Sequence, residues 1–357
     1  MKKLNSKFSK IFIIVALLLL ITNACNNSGN KKSASDKGTS KIQEHTPVTK
    51  ENFATAETHR YFKEFTEKGA VNKFIHEDEI AVALDKQTII RSNIDMFYSH
   101  AIVDISKGAT ITLPDAGERF RLVQIVDENG YTPNVFYEAG SYDLKSNSGA
   151  QFVYCFMRTA ADPNDNEDQN KARELMMSTT IKSVGNRSFV SEYNFDENEI
   201  VKMRTDIITE GGKKYSDSYG AFGDVKDIKD HDKFLFGAAA GWGGLPEKDA
   251  VYWPISPQLG DGCAELTIQA PPVNRYWSIT VYDSIGWLAN VNALRNAKNT
   301  AANDDGSYTF HFGCGDDALN NLPITKNWSF VLRMYGPKEE ILDGTYKPVM
   351  PTLVKDK

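Results

Sequence analysis

The stretch Ala101-Ile-Val-Asp-Ile105, Lys107-Gly108, Thr110-Ile-Thr-Leu113, Pro114-Asp115-Ala-Gly117 and Phe120 to Val126 decides how this chain folds. Short runs rich in β-branched residues are broken by Lys-Gly and by Pro-Asp-Ala-Gly, the residues that pre-set turns, so it reads strand, turn, strand, turn, strand. The rhythm continues at Asn134 to Tyr137 and Gln151 to Met157. It returns at Cys263 to Gln269, Tyr276 to Tyr282, Ser307 to Phe312 and Trp328 to Tyr335, with breaks at Pro271-Pro272 and Asp304-Asp305-Gly306. Short strands with near-regular punctuation are the pattern of antiparallel sandwiches and barrels. Helices flank them. From Glu51 to Lys68, Phe53, Tyr61, Phe62 and Phe65 recur at helical spacing and Gly69 is a stop, and further helices are expected at Asp168 to Met177, Glu197 to Thr209 and Lys229 to Ala240. No short-period repeat is present. The expectation is a mainly-β chain with peripheral helices, in two antiparallel β-sandwich or jelly-roll-like domains, because roughly 300 folded residues exceed what one core usually holds.

At the N-terminus, Lys2 and Lys3 precede the apolar run Ile11 to Ile21 and then Thr22-Asn23-Ala24-Cys25. The run is too short to span a bilayer comfortably and small residues precede the cysteine, so residues 1–25 read as a cleaved export signal. Similarity to bacterial lipoprotein signals implies that Cys25 becomes the first mature residue and carries lipid, although Thr22 and Asn23 depart from the favoured Leu and Ala or Ser. A signal cleaved without lipidation is the alternative. Asn26 stands where lipoproteins retained in the inner membrane carry an acid, so resemblance to such signals favours the periplasmic side of the outer membrane. Residues 26–50, rich in Asn, Ser, Lys and Gly, lack the apolar surface to offset ordering entropy and read as a disordered linker.

The net charge of −6 is mildly acidic and no concentrated basic patch opposes it, which argues against nucleic acid as a partner. No phosphate loop is present: Gly241-Trp-Gly-Gly-Leu-Pro246 lacks the Lys-Ser/Thr of a P-loop and reads as a tight bend after a helix. Asp162-Pro-Asn-Asp-Asn-Glu-Asp168 imitates the start of a calcium loop, but Glu167 occupies the place of the turn glycine and Arg173 that of the bidentate glutamate. An acidic helix N-terminus is the simpler reading. His45, His59, His76, His100, His231 and His311 show no metal-ligand spacing, so neither metal nor cofactor is expected. Trp242, Trp253, Trp277, Trp287 and Trp328 read as core, or, where exposed along one groove, as a platform for a sugar or aromatic ligand.

Residues Asn93-Ile-Asp-Met-Phe-Tyr98, Lys107 to Gly117 and Arg158-Thr159 resemble the bacterial domain of unknown function 1254. Residues Gly241 to Pro246, Tyr276-Trp-Ser-Ile-Thr-Val-Tyr282, Asp305-Gly-Ser307, Asn327-Trp328, Arg333-Met-Tyr-Gly-Pro337 and Leu342-Asp-Gly-Thr345 resemble its usual companion, domain of unknown function 1214. The resemblance runs from Glu51 to Val354 and implies two mainly antiparallel β domains with no settled activity. The expected organisation is 51–180 for the first domain, 181–225 for a helical connection and 226–357 for the second. Family members often carry Arg where this chain has Ile94, His where it has Gly130, and a second cysteine where it has Asn321.

With Cys25 committed to lipid, Cys155, Cys263 and Cys314 remain in a compartment that oxidises thiols. Cys263 and Cys314 fall in one predicted sandwich, where they either pair or stay buried thiols. Cys155, in an apolar strand, reads as a small core residue.

The Asn93 to Tyr98 cluster is the best candidate for chemistry. It could set the Asp95 carboxylate and Tyr98 hydroxyl at a pocket mouth, with Arg91 or Arg158 as counter-ion and Gln124 and Asp127 as neighbours. Asn93, Asp95, Tyr98, Gln124 and Arg158 are then expected to meet around one ligand. The alternative is an Asp that caps a turn and a Tyr at a core edge. Two functions follow: a tethered module binding a small polar molecule, a glycan or an envelope partner, or a hydrolase-like enzyme with Asp95 as general base. The first is preferred, because no Gly-x-Ser-x-Gly elbow, metal spacing or nucleotide fingerprint occurs. For the N-terminus, Cys25→Ser is expected to move the protein from the membrane to the soluble fraction; unchanged partitioning in fractionated cells overturns the lipid assignment.

Overall fold

The computed structural model describes residues 44–80, 84–87, 91–215, 217–347 and 349–354; Cys25 and most of the expected linker lie outside the described residues. From Gln43 to Lys357 the chain is one compact unit. Its elements are α1 (Phe53–Glu67), β1 (Ile75–His76), β2 (Met96–Asp104), β3 (Ala109–Leu113), β4 (Arg121–Asp127), β5 (Asn134–Phe136), β6 (Gly140–Asp143), β7 (Phe152–Ala160), α2 (Asn166–Met177), β8 (Thr180–Ser183), α3 (Glu197–Gly211) and α4 (His231–Gly241). There follow β9 (Ala250–Ile255), β10 (Ala264–Ile268), β11 (Val273–Tyr282), β12 (Leu294–Asn296), β13 (Tyr308–Phe312), β14 (Asn321–Leu322), β15 (Ser329–Pro337), α5 (Glu339–Leu342) and β16 (Thr352–Leu353). The fold is mainly β with peripheral helices, as the strand rhythm implies.

The first β region is a sandwich. A sheet ordered β1-β2-β7-β4-β5 packs on a smaller one ordered β6-β3-β8. Successive side chains of a strand point to opposite faces, so Phe97, Ala101, Val123, Ile125, Cys155 and Met157 face inward onto Ile111, Leu113 and, from α2, Met176. On the other face Ile102, Val126 and Tyr154 pack under Phe62 and Phe65 of α1. The second region repeats the plan with sheets ordered β12-β11-β15-β9 and β14-β13-β10-β16. Trp277, Ile279, Phe330 and Leu332 meet Leu266, Phe310 and Phe312 between them.

Each of α2, α3 and α4 starts where an aspartate, Asp165, Asp196 or Asp230, accepts hydrogen bonds from first-turn amides, which satisfies donors that a helix start leaves orphaned. Asp165 therefore starts α2 two residues earlier than the hydrophobic period suggests. Strand β9 forms despite Pro254, which breaks its sequence pattern, because β9 is an edge strand, where a missing amide breaks no ladder. The stretch 181–225, read as a helical connection, carries the last residues of β8 paired to β3. Helix α4 packs with α1 and α3 through Phe53, Ile200, Ile207, Phe234 and Leu235.

The described end of the expected linker is held in place. Thr46 N donates to Asn194 O at 3.0 Å, Val48 N to Glu199 Oε2 at 3.0 Å and Lys50 Nζ to Glu210 Oε2 at 2.8 Å. Polar residues need no core of their own when their amides and charges find partners on a neighbouring helix.

Cys263 and Cys314 form a disulfide with Cα atoms 4.6 Å apart, 51 residues apart in sequence. It joins the residue before β10 to the loop after β13, strands that pair directly. Asn321 does not replace the missing family cysteine with a bond, but its Oδ1 accepts from Cys314 N at 3.1 Å. Closing a loop of this length lowers denatured-chain entropy by about 4 kcal/mol in the chain-entropy model, with 2–4 kcal/mol typical. The Cys263→Ser/Cys314→Ser double variant is expected to lose about 2–4 kcal/mol in denaturant unfolding; a loss below about 1 kcal/mol contradicts a stabilising role.

Candidate functional site

The outer face of β2, β7 and β4 carries Tyr98, Arg158 and Gln124 together. Tyr98 stands opposite Arg158 in the β2–β7 ladder. Arg158 Nη1 donates to Gln124 Oε1 at 2.9 Å and Nη2 to the Gly243 carbonyl at 2.6 Å. Gln124 Nε2 in turn donates to Gly244 O at 2.8 Å and Thr132 Oγ1 at 3.0 Å. The glycine bend after α4 thus supplies carbonyls to two buried side chains. Gly243, at φ +75°, sits against Phe156, where an added Cβ would crowd the ring at 3.2 Å. Phe156 also underlies the Arg158 guanidinium at 4.2 Å and stacks with Tyr98.

Asp95 lies apart from this trio. Its Oδ2 accepts from Tyr276 OH at 2.6 Å and Asn296 Nδ2 at 3.4 Å. Its Oδ1 has no protein partner, and the residue is fully buried. Burial pushes the carboxyl above its ordinary value, against the lowering pull of the Tyr276 hydrogen bond, Arg333 and Asn296. The expected pairing with Arg158 does not form: Arg333 on β15 is the guanidinium whose charge acts on Asp95, without an ion-pair contact, and Arg91 is exposed. Asn93 bonds locally, its Oδ1 accepting from Ile94 N at 3.1 Å. Asp127 is likewise structural, accepting from the amides of Asn129 and Tyr131 and the hydroxyls of Ser146 and Ser148. Of the five expected residues, three meet directly; Asp95 joins them only through the opposite sheet, and Asn93 does not join them.

The opposite sheet supplies polar groups that no local motif marks. By alternation along β11, Trp277, Ile279 and Val281 enter the second core while Tyr276, Ser278, Thr280 and Tyr282 take the other face, where Tyr282 still packs with members of that core, and in β15 Arg333 and Tyr335 lie on the same face. That face is buried too. Arg333 Nη1 donates to Thr280 Oγ1 at 3.0 Å, and Nη2 to Tyr282 OH at 2.6 Å and Arg91 O at 2.8 Å. Tyr282 OH donates onward to Ser92 O at 2.7 Å, and Ile94 is a member of the second core. The segment 91–94 is thus strapped across the second sheet before the chain enters β2. Where family members carry Arg, Ile94 is apolar because its surroundings are.

Between the sheets the polar side chains share a layer with a buried apolar cluster that includes Met96, Phe120, Leu122, Leu245 and Ala250. Tyr98, Tyr252 and Tyr335 each sense both Arg158 and Arg333. Burial pushes the Tyr98 hydroxyl up to about 12 despite the opposing pull of Arg158 and Arg333. Desolvation disfavours the Arg333 charge, but the surrounding tyrosine oxygens, Tyr282 first, outweigh it and hold the group protonated. Ser278 Oγ, fully buried, has no protein partner. Period-two alternation of polar with apolar residues in β11 and β15 was the signal available; it reads as a solvated face until a second sheet covers it.

The remaining candidates serve structure. Asp165 caps α2 while Asp168 pairs with Arg119 at 2.6 Å, so the calcium-like loop is a helix start. Among the described residues no group of three His, Cys, Asp or Glu is arranged to hold a metal. Trp253, Trp277 and Trp328 are core, and Trp242 stacks face to face on Tyr61 at 4.0 Å. Cys155 is fully buried and its thiol is pushed upward by that burial. Gly130, at φ +85°, leaves no room for the family's His, since a Cβ there would meet Thr58 Oγ1 at 2.9 Å. A cleft of ≈ 170 Å³ lined by Asp162, Lys298, Tyr276 and Asn296 adjoins the Asp95 partners. A larger depression of ≈ 670 Å³ near Thr110, Lys145 and Lys182 has only partly or fully exposed polar lining residues, so the site is not placed there.

A carboxyl raised in the folded state favours folding while protonated. Its contribution is complete below about 3.9 and fades as pH climbs toward the raised folded value. Asp95→Asn keeps the shape and removes that titration. Its melting temperature relative to wild type is therefore expected to rise between about pH 4 and pH 8. Parallel melting curves across that range contradict a raised Asp95.

Residues 71–205 match the family model described as "Protein of unknown function (DUF1254)", and residues 260–339 that described as "Protein of unknown function (DUF1214)". No curated protein matches the chain. Among solved structures, the VPA0106 protein from Vibrio parahaemolyticus is similar at 18% identity and a TM-score of 0.66, over 85% of this chain and 97% of that one. An uncharacterized protein from Burkholderia cenocepacia aligns at 12% identity and a TM-score of 0.47, over 84% of this chain and 86% of that one. The first likeness supports the fold. The chain therefore joins a DUF1254 region to a DUF1214 region, in that order.

Proposed function

We propose that this protein is a membrane-tethered binding module of the bacterial envelope, on the periplasmic side of the outer membrane, which holds a small polar molecule or glycan in the layer between its two facing sheets. One observation carries the reading. In a layer where Arg158, Arg333 and Gln124 all find partners, Asp95 Oδ1 and Ser278 Oγ are buried with no protein group to bond, and buried polar groups are normally satisfied. The tether rests on the export signal and Cys25. A hydrolase with Asp95 as base fits less well, because a general base must be ionised and reach the proton it takes, whereas Asp95 is fully buried and biased to its neutral form.

The test is a thermal-shift screen of sugars, oligosaccharides, amino acids and small organic acids, on wild type and on Ser278→Val, which replaces the unpartnered hydroxyl with a methyl. A saturable stabilisation of wild type by at least one compound, weakened tenfold or more in Ser278→Val, is expected. No shift from any compound, or an equal shift in both proteins, overturns the reading.

A further inference from the structure

We infer that the ligand of the layer between the sheets is a small oxyanion, a carboxylate, sulfate or phosphate group, gripped from one sheet by Arg158 and from the other by Arg333. The inference rests on the binding reading above and names its ligand class.

The argument is one of charge. Arg158 and Arg333 are 6% and 5% exposed. The arginines that form ion pairs among the described residues are Arg60, Arg119, Arg187, Arg204 and Arg275. Arg158 and Arg333 make none, their partners being carbonyls, hydroxyls and an amide oxygen. A buried charge without a counter-charge is costly. The carboxyl of the layer is Asp95. Even counted as ionised, it offsets only one guanidinium. Glu77 and Asp249 influence the tyrosines of the layer, but Glu77 contacts His100 and Asp249 contacts Lys248.

Geometry agrees. A guanidinium has five N–H donors in a fork matched to oxyanions, and Arg158 spends only two contacts on protein acceptors. Leu122, opposite Arg158 in the β4–β7 ladder, packs in one cluster with Tyr335, two residues along β15 from Arg333, and with Tyr252, opposite Arg333 in the β15–β9 ladder, so the two arginines border the same contact between the sheets. Tyr98 and Tyr252 are partly exposed, whereas Tyr335 is buried.

The experiment is isothermal titration of the full-length protein with succinate, sulfate and inorganic phosphate, alongside glucose and maltose as uncharged probes. Wild type is expected to bind at least one anion saturably, near one per chain and more weakly as chloride rises. Which of the three binds separates a carboxylate ligand from a sulfate or phosphate. Arg158→Gln and Arg333→Gln are each expected to weaken binding tenfold or more. Should either variant fail to fold, Arg158→Lys, which keeps the charge but loses the fork, and Tyr98→Trp, which narrows the approach, are expected to weaken it without removing a charge. Sugars that bind while the anions do not overturn the oxyanion class and leave the binding reading standing. Failure of all five probes, in a protein that also gives no thermal shift in the wider screen, removes both. Anion binding unchanged in the folded variants places the anion elsewhere and overturns the inference.

Discussion

Two sheets press faces rich in polar side chains together around a shared apolar cluster, and this constraint organises the rest of the molecule. Sheets in a sandwich ordinarily meet through apolar side chains, and each region does so inside its own core. Where the regions meet, Arg, Gln, Asp, Ser, Thr and Tyr are buried beside apolar residues such as Met96, Leu122 and Leu245. Apart from Asp95 Oδ1 and Ser278 Oγ, these groups need partners in a place water reaches poorly, and backbone supplies several of them. The glycine bend after α4 turns two carbonyls toward Arg158 and Gln124. The strap at 91–94 turns two more toward Arg333 and Tyr282. Both are irregular segments held in fixed positions, and the polar layer is what fixes them.

The same constraint explains a division of labour along β2. Within three residues the chain passes from the second core, at Ile94, through a carboxyl hydrogen-bonded by β11, at Asp95, to the first core, at Phe97. A single strand start is thereby committed to both regions. The contrast between Asp95 and Asp104 at the two ends of the strand is instructive. Both are buried, yet Asp104 is held far below the ordinary carboxylate range by Arg187, whereas Asp95 is raised by burial that its partners only partly offset. Ion-pair geometry, and not burial alone, decides the direction.

Much of the fold was legible because its signals are local. Strand rhythm, glycine and proline punctuation and helical spacing each span a few residues, and they located the long strands and the four main helices. Pro254 hid β9, since whether a proline is tolerated depends on which edge of a sheet a strand occupies. The site was legible by half. Tyr98, Gln124 and Arg158 share a sheet face through neighbouring strands, so a motif in one region could gather them. Tyr276 reaches Asp95 across 181 residues, a distance over which spacing has no meaning. Alternation in β11 was visible, but only the covering sheet turns a polar face into a buried one.

The free cysteine also bears on how the oxidised chain reaches one covalent form. The three cysteines after Cys25 allow more than one pairing, and an exposed third thiolate would keep attacking the bridge once made. Cys155 is fully buried in the first sandwich, with its thiol pushed toward the protonated state, whereas Cys263 and Cys314 are neighbours across paired strands of the second. Exchange needs a thiolate that can reach a sulfur atom, and packing of the first core denies Cys155 both. Once that core has formed, the bridge has no internal competitor, and shuffling is confined to the interval before β7 is buried.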